Sequence, residues 1–302
     1  MKKLKNEIRE WLEVHKKNSV KPATYKRLLI SAALMERYPI SDMDTERLSD
    51  VSIQHYINEL VSDGYAQTTI KKQFHLISGF VRYANATGLL PHPVYAAVNM
   101  PSQSAVKKPK RQINAYSSEE QTRLKAVLAM RKRAAYPIVS FMLETGLRVG
   151  ETLALRWQDI LWQKKALNVN KTLINMESNT RMEVQLSPKS ASSTRTIPLS
   201  SDAYRILESL PKASSFVFSS NPNRPFSYKE LRYAVKKACE EARIPYYGMH
   251  VFRHTFATNC YYRGCDVKIL SKLLGHSSVT VTYNTYIHLF GDALEEMRAV
   301  LG

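Results

Sequence analysis

Residues 1–90 repeat apolar side chains at helical spacing, and then the repeat stops. Residues 101–115 (PSQSAVKKPKRQINA) are polar, carry two prolines and cluster four cations, Lys107, Lys108, Lys110 and Arg111. A stretch of this composition has little to contribute to a core on either side, so it divides the chain into two folding parts. The expected organisation is a helical domain over 1–100, a basic linker over 101–115 and a second domain over 116–302. The total of 302 residues suffices for both.

The first part reads as a small helical bundle. Leu4, Ile8, Trp11 and Leu12 share one face of a helix over 4–15. Pro22 opens a second helix, along which Tyr25, Leu28, Leu29, Ala32 and Met35 recur. A third, near 52–63, turns Ile53, Tyr56, Ile57 and Leu60 inward. A fourth, over 67–86, carries Ile70, Phe74, Ile77, Val81 and Ala84 and stops at Gly88. The second part mixes periods. Ser117 with Glu120, and Ser227 with Glu230, have capping-box spacing. A further helix ends at Gly146, and strand-like runs cover 166–170, 182–186 and 194–198. Three short helices punctuated by Gly264 and Gly275 follow. The fold class is mainly α with a small antiparallel β-sheet.

Charge narrows the partner. Lys and Arg number 44 against 26 Asp and Glu, a formal net charge of +18. The excess is +7 over residues 1–110 and +11 over 111–302, so it is no terminal tail. A basic surface on both parts fits a polyanion such as DNA or RNA. The 44% of apolar residues excludes wholesale disorder. Three cysteines exclude a disulfide scaffold and suit a reducing cytoplasm. No apolar run is long enough for a bilayer, and Glu7, Arg9 and Glu10 interrupt any signal-peptide core. The expectation is a cytoplasmic protein with no membrane partner.

Several chemistries are missing: no Walker loop, no GxGxxG and no GxSxG elbow. Cys260 and Cys265 read as packing residues, too few for a zinc site. His250 and His254 have zincin spacing, but Val251 stands where the base should be and Arg253 would repel a cation. Arg253 suggests an anion site instead, with His250 and Arg253 as two donors on one face. His254 then reads as a packed histidine bonded to backbone. Arg148 lies between Gly146 and Gly150, and Glu151 can hold its guanidinium through a bidentate pair. His276 sits in a tight corner after Gly275, ten residues before Tyr286. In combination, Arg148, Lys189, His250, Arg253, His276 and Tyr286 can serve a phosphate. Two arginines clamp its oxygens, a lysine protonates a leaving alkoxide, a histidine takes a tyrosine's proton, and the tyrosine attacks phosphorus. This set calls for no metal and no cofactor.

The segments TGLRVGE, SPK followed by RTIPL, HVFRHTFAT and LGHSSVTVTYNTYIH, in that order, resemble the tyrosine recombinases of the phage-integrase family across about 115–302. The resemblance implies a SAM-like core-binding domain before an α+β catalytic domain. It makes Tyr286 the nucleophile of a site-specific DNA recombinase, joined to DNA as a 3′-phosphotyrosyl link. It gives Arg148 and Arg253 the transition-state clamp, Lys189 the general acid and His250 the general base. His276 bonds a nonbridging oxygen, and Glu151 orients Arg148. Tyr283 is the rival nucleophile and Lys171 the rival acid, the latter reading more simply as a strand-end surface residue. The gap from His276 to Tyr286 matches integrases of phages and conjugative elements, whereas Xer-type resolvases have a shorter one. A mobile-element integrase is therefore expected, with an Xer-like resolvase or a type IB topoisomerase-like strand transferase as alternatives. An idle DNA-binding protein would need a lost nucleophile or clamp residue. Expected partners are double-stranded DNA with core sites, three further copies in a synaptic tetramer, and accessory bending or directionality factors. The linker cations are expected on DNA phosphates, and residues 292–301 on the chain's own domain or on a neighbour. The sequence begins almost directly with the bundle, so the expectation is a shorter, two-domain member of the family or one whose additional arm-binding domain has been removed.

Overall fold

The computed structural model describes residues 2–102, 106, 114–131, 134–174, 183–185, 194–222 and 224–286. The backbone separates into two units, Met1–Arg111 and Gln112–Gly302. The linker cations Lys107, Lys108, Lys110 and Arg111, the loop residue Lys189 and residues 292–301 lie outside the described residues.

Among the described residues, the regular elements of the first unit are all helices. Helix α1 (Leu4–Trp11) continues through a π-helical turn, Leu12–Lys16. Helix α2 (Pro22–Met35) opens on its proline, whose fixed φ suits a first turn. Helix α3 (Asp50–Ser62) is closed by a reciprocal cap between Ser49 and Ser52. Helix α4 (Gln67–Ala86) is followed by Gly88 at φ +68°, where a side chain would be strained. Leu4, Ile8, Trp11, Ile53, Ile57 and Ile77 meet in one core. In its interior the Tyr56 hydroxyl donates to Gln73 Oε1 at 3.1 Å. Two expectations shift. Leu29 belongs to the apolar repeat of α2 but faces solvent, because the buried stripe is carried by Ala32 and Met35. Val106, inside the segment read as a polar linker, is buried in this core.

The second unit builds a helical shell around small sheets. Helix α5 (Ser118–Arg131) starts at a complete capping box: Glu120 N–H donates to Ser117 Oγ, and Ser117 N–H to Glu120 Oε2. Helix α6 (Tyr136–Thr145) carries Ile138, Val139, Phe141 and Met142 through the core and ends at Gly146, φ +64°. A short helix α7 (Val149–Ala154) leads to strands β1 (Ile160–Leu161), β2 (Ala166–Val169), β3 (Thr172–Ile174), β4 (Glu183–Gln185) and β5 (Arg195–Pro198). The order β1-β2-β5 is antiparallel, with Leu167 opposite Ile197. Strands β3 and β4 form a separate antiparallel ribbon. Helix α8 (Ser201–Ser209), strands β6 (Ser219–Asn221) and β7 (Arg224–Pro225), and helix α9 (Tyr228–Glu241) follow. The described part closes with α10 (Val251–Tyr262), α11 (Val267–Leu274) and α12 (Val279–Tyr286). Gly264 and Gly275 separate these three at φ +77° and +66°. Helix α10 packs on α6, and α12 on α11.

Candidate active site

Arg148 is the residue that caps α7. Its backbone N–H donates to Glu151 Oε2 at 3.0 Å and its Nη1 to Oε1 at 2.8 Å. Helix α7 can lie this close to β3 because position 150 is glycine. A Cβ there would stand 2.9 Å from the Leu173 carbonyl. Glu151 is 6% exposed and also receives Arg195 from β5, Nη1 to Oε1 at 3.2 Å and Nη2 to Oε2 at 3.0 Å. One buried carboxylate thus joins two arginines. Burial pushes its pKa up, but the hydrogen bonds and charge of Arg195, with the charge of Arg148, outweigh this and hold it below the usual value.

Arg253 projects from α10 and is only 4% exposed. Its Nη1 donates to the Gly146 carbonyl at 3.0 Å and its Nη2 to the Leu274 carbonyl at 2.6 Å. Those carbonyls end α6 and α11, and Arg195 Nε similarly donates to Leu273 O at 2.7 Å. Helix C-termini carry partial negative charge, which orients a guanidinium without cancelling it. A Cβ on Gly275, after α11, would also stand 2.9 Å from Arg195 Nη1, so a side chain there would displace that guanidinium. Burial and the charge of Arg148 lower Arg253 to about 9, which leaves it cationic at neutral pH.

His276 follows Gly275, and its Nδ1 lies 2.6 Å from Thr282 Oγ1 on α12. Tyr286, the last residue of α12, is 2% exposed. Its hydroxyl lies 3.0 Å from His254 Nδ1. The rings of these residues sense one another's surroundings. His276 is lowered to about 4 by burial and then by the charges of Arg253, Arg148 and Arg195. His250 is lowered by desolvation and by Arg253 and Arg148. Tyr286 is raised to about 12 by burial, which the charge of Arg253 opposes. Arg148, His250, Arg253, His276 and Tyr286 therefore occupy one electrostatic neighbourhood, supplied by α7, α10, the corner after α11, and α12. Three arginines that share the single carboxylate of Glu151, two neutral imidazoles and a buried phenol can bind a phosphodiester and attack it.

Three sequence expectations are corrected. His254 does not turn away to backbone; its ring meets Tyr286, the last residue of α12. The two-pronged partner of Glu151 is Arg195, while Arg148 uses one guanidinium nitrogen and its backbone N–H. Lys171 is no surface residue: it is buried and ion-paired with buried Asp159, which turns in from the segment after α7. Arg195 was missed as a site residue although RTIPL was noticed. The signal was its parity, since Arg195 and Ile197 are two apart on β5 and Ile197 is buried. The rival Tyr283 is 46% exposed, in contrast to Tyr286.

Residues 109–292 match the phage integrase family. A XerC-like tyrosine recombinase of Caldanaerobacter subterraneus subsp. tengcongensis is 30% identical over 266 residues, covering 80% of this chain and 68% of that protein. The Tn916 transposase of Enterococcus faecalis is 28% identical over 183 residues, 54% of this chain but only 44% of its own length. In fold, the chain resembles the Tn1549 transposon integrase in complex with transposon right end DNA, at TM-score 0.79 and 18% identity, with both chains covered in full (100%). It also resembles a lambda integrase from a tetramer bound to a Holliday junction, at TM-score 0.71 and 19% identity, over 94% of this chain and 77% of that one. With its family match spanning most of the second unit and its relative aligned over both units, the chain belongs to the phage integrase family, the tyrosine recombinases that cleave and rejoin DNA.

Proposed function

We propose that this chain is a site-specific recombinase that integrates and excises a mobile DNA element through a 3′-phosphotyrosyl intermediate at Tyr286. The observation that carries the reading is the buried phenol of Tyr286 within the field of Arg253. Tyr286 attacks the scissile phosphorus, and the 5′-oxygen leaves. Arg148 and Arg253 bind the nonbridging oxygens, where charge grows in the transition state. His276 and His250, neutral at physiological pH, donate hydrogen bonds to the same phosphate. Lys189 protonates the leaving oxygen, and an imidazole of α10 takes the phenolic proton. The new ester conserves the energy of the old one, so a partner 5′-hydroxyl can reverse it.

The partner is double-stranded DNA bearing core sites, and the working assembly is a tetramer on two duplexes, with accessory bending or directionality factors. The place of action is the cytoplasm. Support comes from the net charge of +18 shared by both parts of the chain. Support also comes from the relatives named as transposases, which favour a mobile element over chromosome resolution. The XerC-like relative keeps resolution as the second reading.

Covalent trapping tests the proposal. Wild type and Tyr286→Phe are incubated with end sequences of the element nicked near the cleavage position, then quenched in detergent. An adduct in wild type alone is expected. An adduct that survives in Tyr286→Phe moves the nucleophile elsewhere. Exchange between two sites in the same reaction separates a recombinase from a topoisomerase-like enzyme, which would only relax the DNA.

A further inference from the structure

The side chain on the Tyr286 hydroxyl is His254: Nδ1 lies 3.0 Å from Oη, and the rings meet edge to face with centroids 5.8 Å apart. Burial holds the phenol at about 12, so it keeps its proton at neutral pH. In the tautomer with its proton on Nε2, His254 presents Nδ1 as an acceptor for that hydroxyl. A hydroxyl donating to an imidazole nitrogen is the arrangement of an activated nucleophile. His250 stands differently. It precedes α10 by one residue, its ring centroid is 6.4 Å from that of His254, and the charges acting on it are those of Arg253, Arg148 and Glu151. Those are the groups of the phosphate clamp.

We propose that His254, not His250, is the general base that takes the Tyr286 proton during cleavage and returns it during rejoining. The inference rests on Tyr286 being the nucleophile. In the step, the Oη–P bond forms and the P–O5′ bond breaks. The phenolic proton passes to Nδ1, and the 5′-oxygen takes a proton from the general acid, leaving a 5′-hydroxyl. Both the old and the new diester carry one negative charge, so the imidazolium is the only added charge on this side of the site.

The test follows covalent adduct formation on a duplex that wild type enriches from random sequence, nicked at successive positions. It uses wild type, Tyr286→Phe, His254→Ala and His254→Gln, with equal DNA binding checked by gel shift. Gln can accept the hydroxyl's hydrogen bond but cannot hold its proton, so it also guards against a variant that merely misfolds. Both His254 variants are expected to slow adduct formation by about 10²–10⁴-fold at neutral pH. Their rates should climb about tenfold per pH unit in alkali, where solvent removes the proton, while wild type flattens. A substrate with a bridging 5′-sulfur, whose thiolate leaves without a proton, should rescue loss of the general acid but not loss of His254. A wild-type rate in His254→Ala overturns the inference, as does recovery in His254→Gln or a deficit that is the same at every pH. No adduct in wild type on DNA it binds, or an adduct in Tyr286→Phe, overturns the nucleophile reading and this inference with it.

Discussion

Glu151 is the residue on which the arginine geometry hangs. It is buried and holds Arg148 and Arg195 together, so neutralising it leaves both guanidinium groups without their shared counter-charge. Removing one member of a buried ionic set costs about 3–5 kcal/mol, and Glu151→Gln is expected to lie at the lower end because the amide keeps some hydrogen bonds. Urea unfolding at pH 7 measures this. The pH dependence has a defined sign. The folded carboxyl is held below its ordinary value. Its stabilisation is therefore full above the unfolded-state pKa and fades as pH falls through the folded one. The gap between wild type and Glu151→Gln should narrow under acid, and a gap that widened would contradict the assignment. At this scale the clamp was legible, since Arg148, Glu151 and Arg253 stand in short local motifs. His254 and Arg195 were not. The partner of His254 lies 32 residues away on α12, and that of Arg195 44 residues away on α7. Periodicity gives the face of an element but not what another element lays against it.

At the scale of elements, the long helices and their caps were readable because each is a local solution: capping residues at Ser117 and Ser227, glycines at C-termini, apolar stripes between. The strands β1, β3, β6 and β7 span only two or three residues and carry too few alternations to register. What fixes the site is the contact of α7 with β3, and it depends on an absent side chain. In Gly150→Ala the new Cβ would stand 2.7 Å from Thr172 Oγ1 and 2.9 Å from the Leu173 carbonyl. The backbone carbonyl cannot rotate away as a side chain could, so α7 must lift. Overpacking of this kind costs about 1–3 kcal/mol, readable as a lower melting temperature. Arg148 and Glu151 ride on α7, so covalent adduct formation should fall further than DNA affinity. Equal losses in both would show that α7 had unfolded and not merely shifted.

At the scale of the whole molecule, the informative quantity is how binding responds to salt. The excess charge is +7 over residues 1–110 and +11 over residues 111–302, so contacts to DNA phosphates are expected from both parts and from the cations between them. Each phosphate neutralised releases counterions, giving a slope of about −0.9 per contact when log affinity is plotted against log salt. If the protein makes about 6–10 such contacts, affinity should drop by roughly 10³–10⁵ between 50 and 200 mM salt. Replacing Lys107, Lys108, Lys110 and Arg111 together by glutamine tests the linker's share. Should all four face phosphates, the slope becomes shallower by about 0.9 for each, and affinity falls alike for specific and random duplexes, because backbone contacts carry no sequence information. An unchanged slope would reduce the segment to a spacer. A loss confined to the specific duplex would instead place those cations on base edges. The three outcomes separate a strap, a tether and a reader, and the Tyr286 chemistry is not touched by any of them.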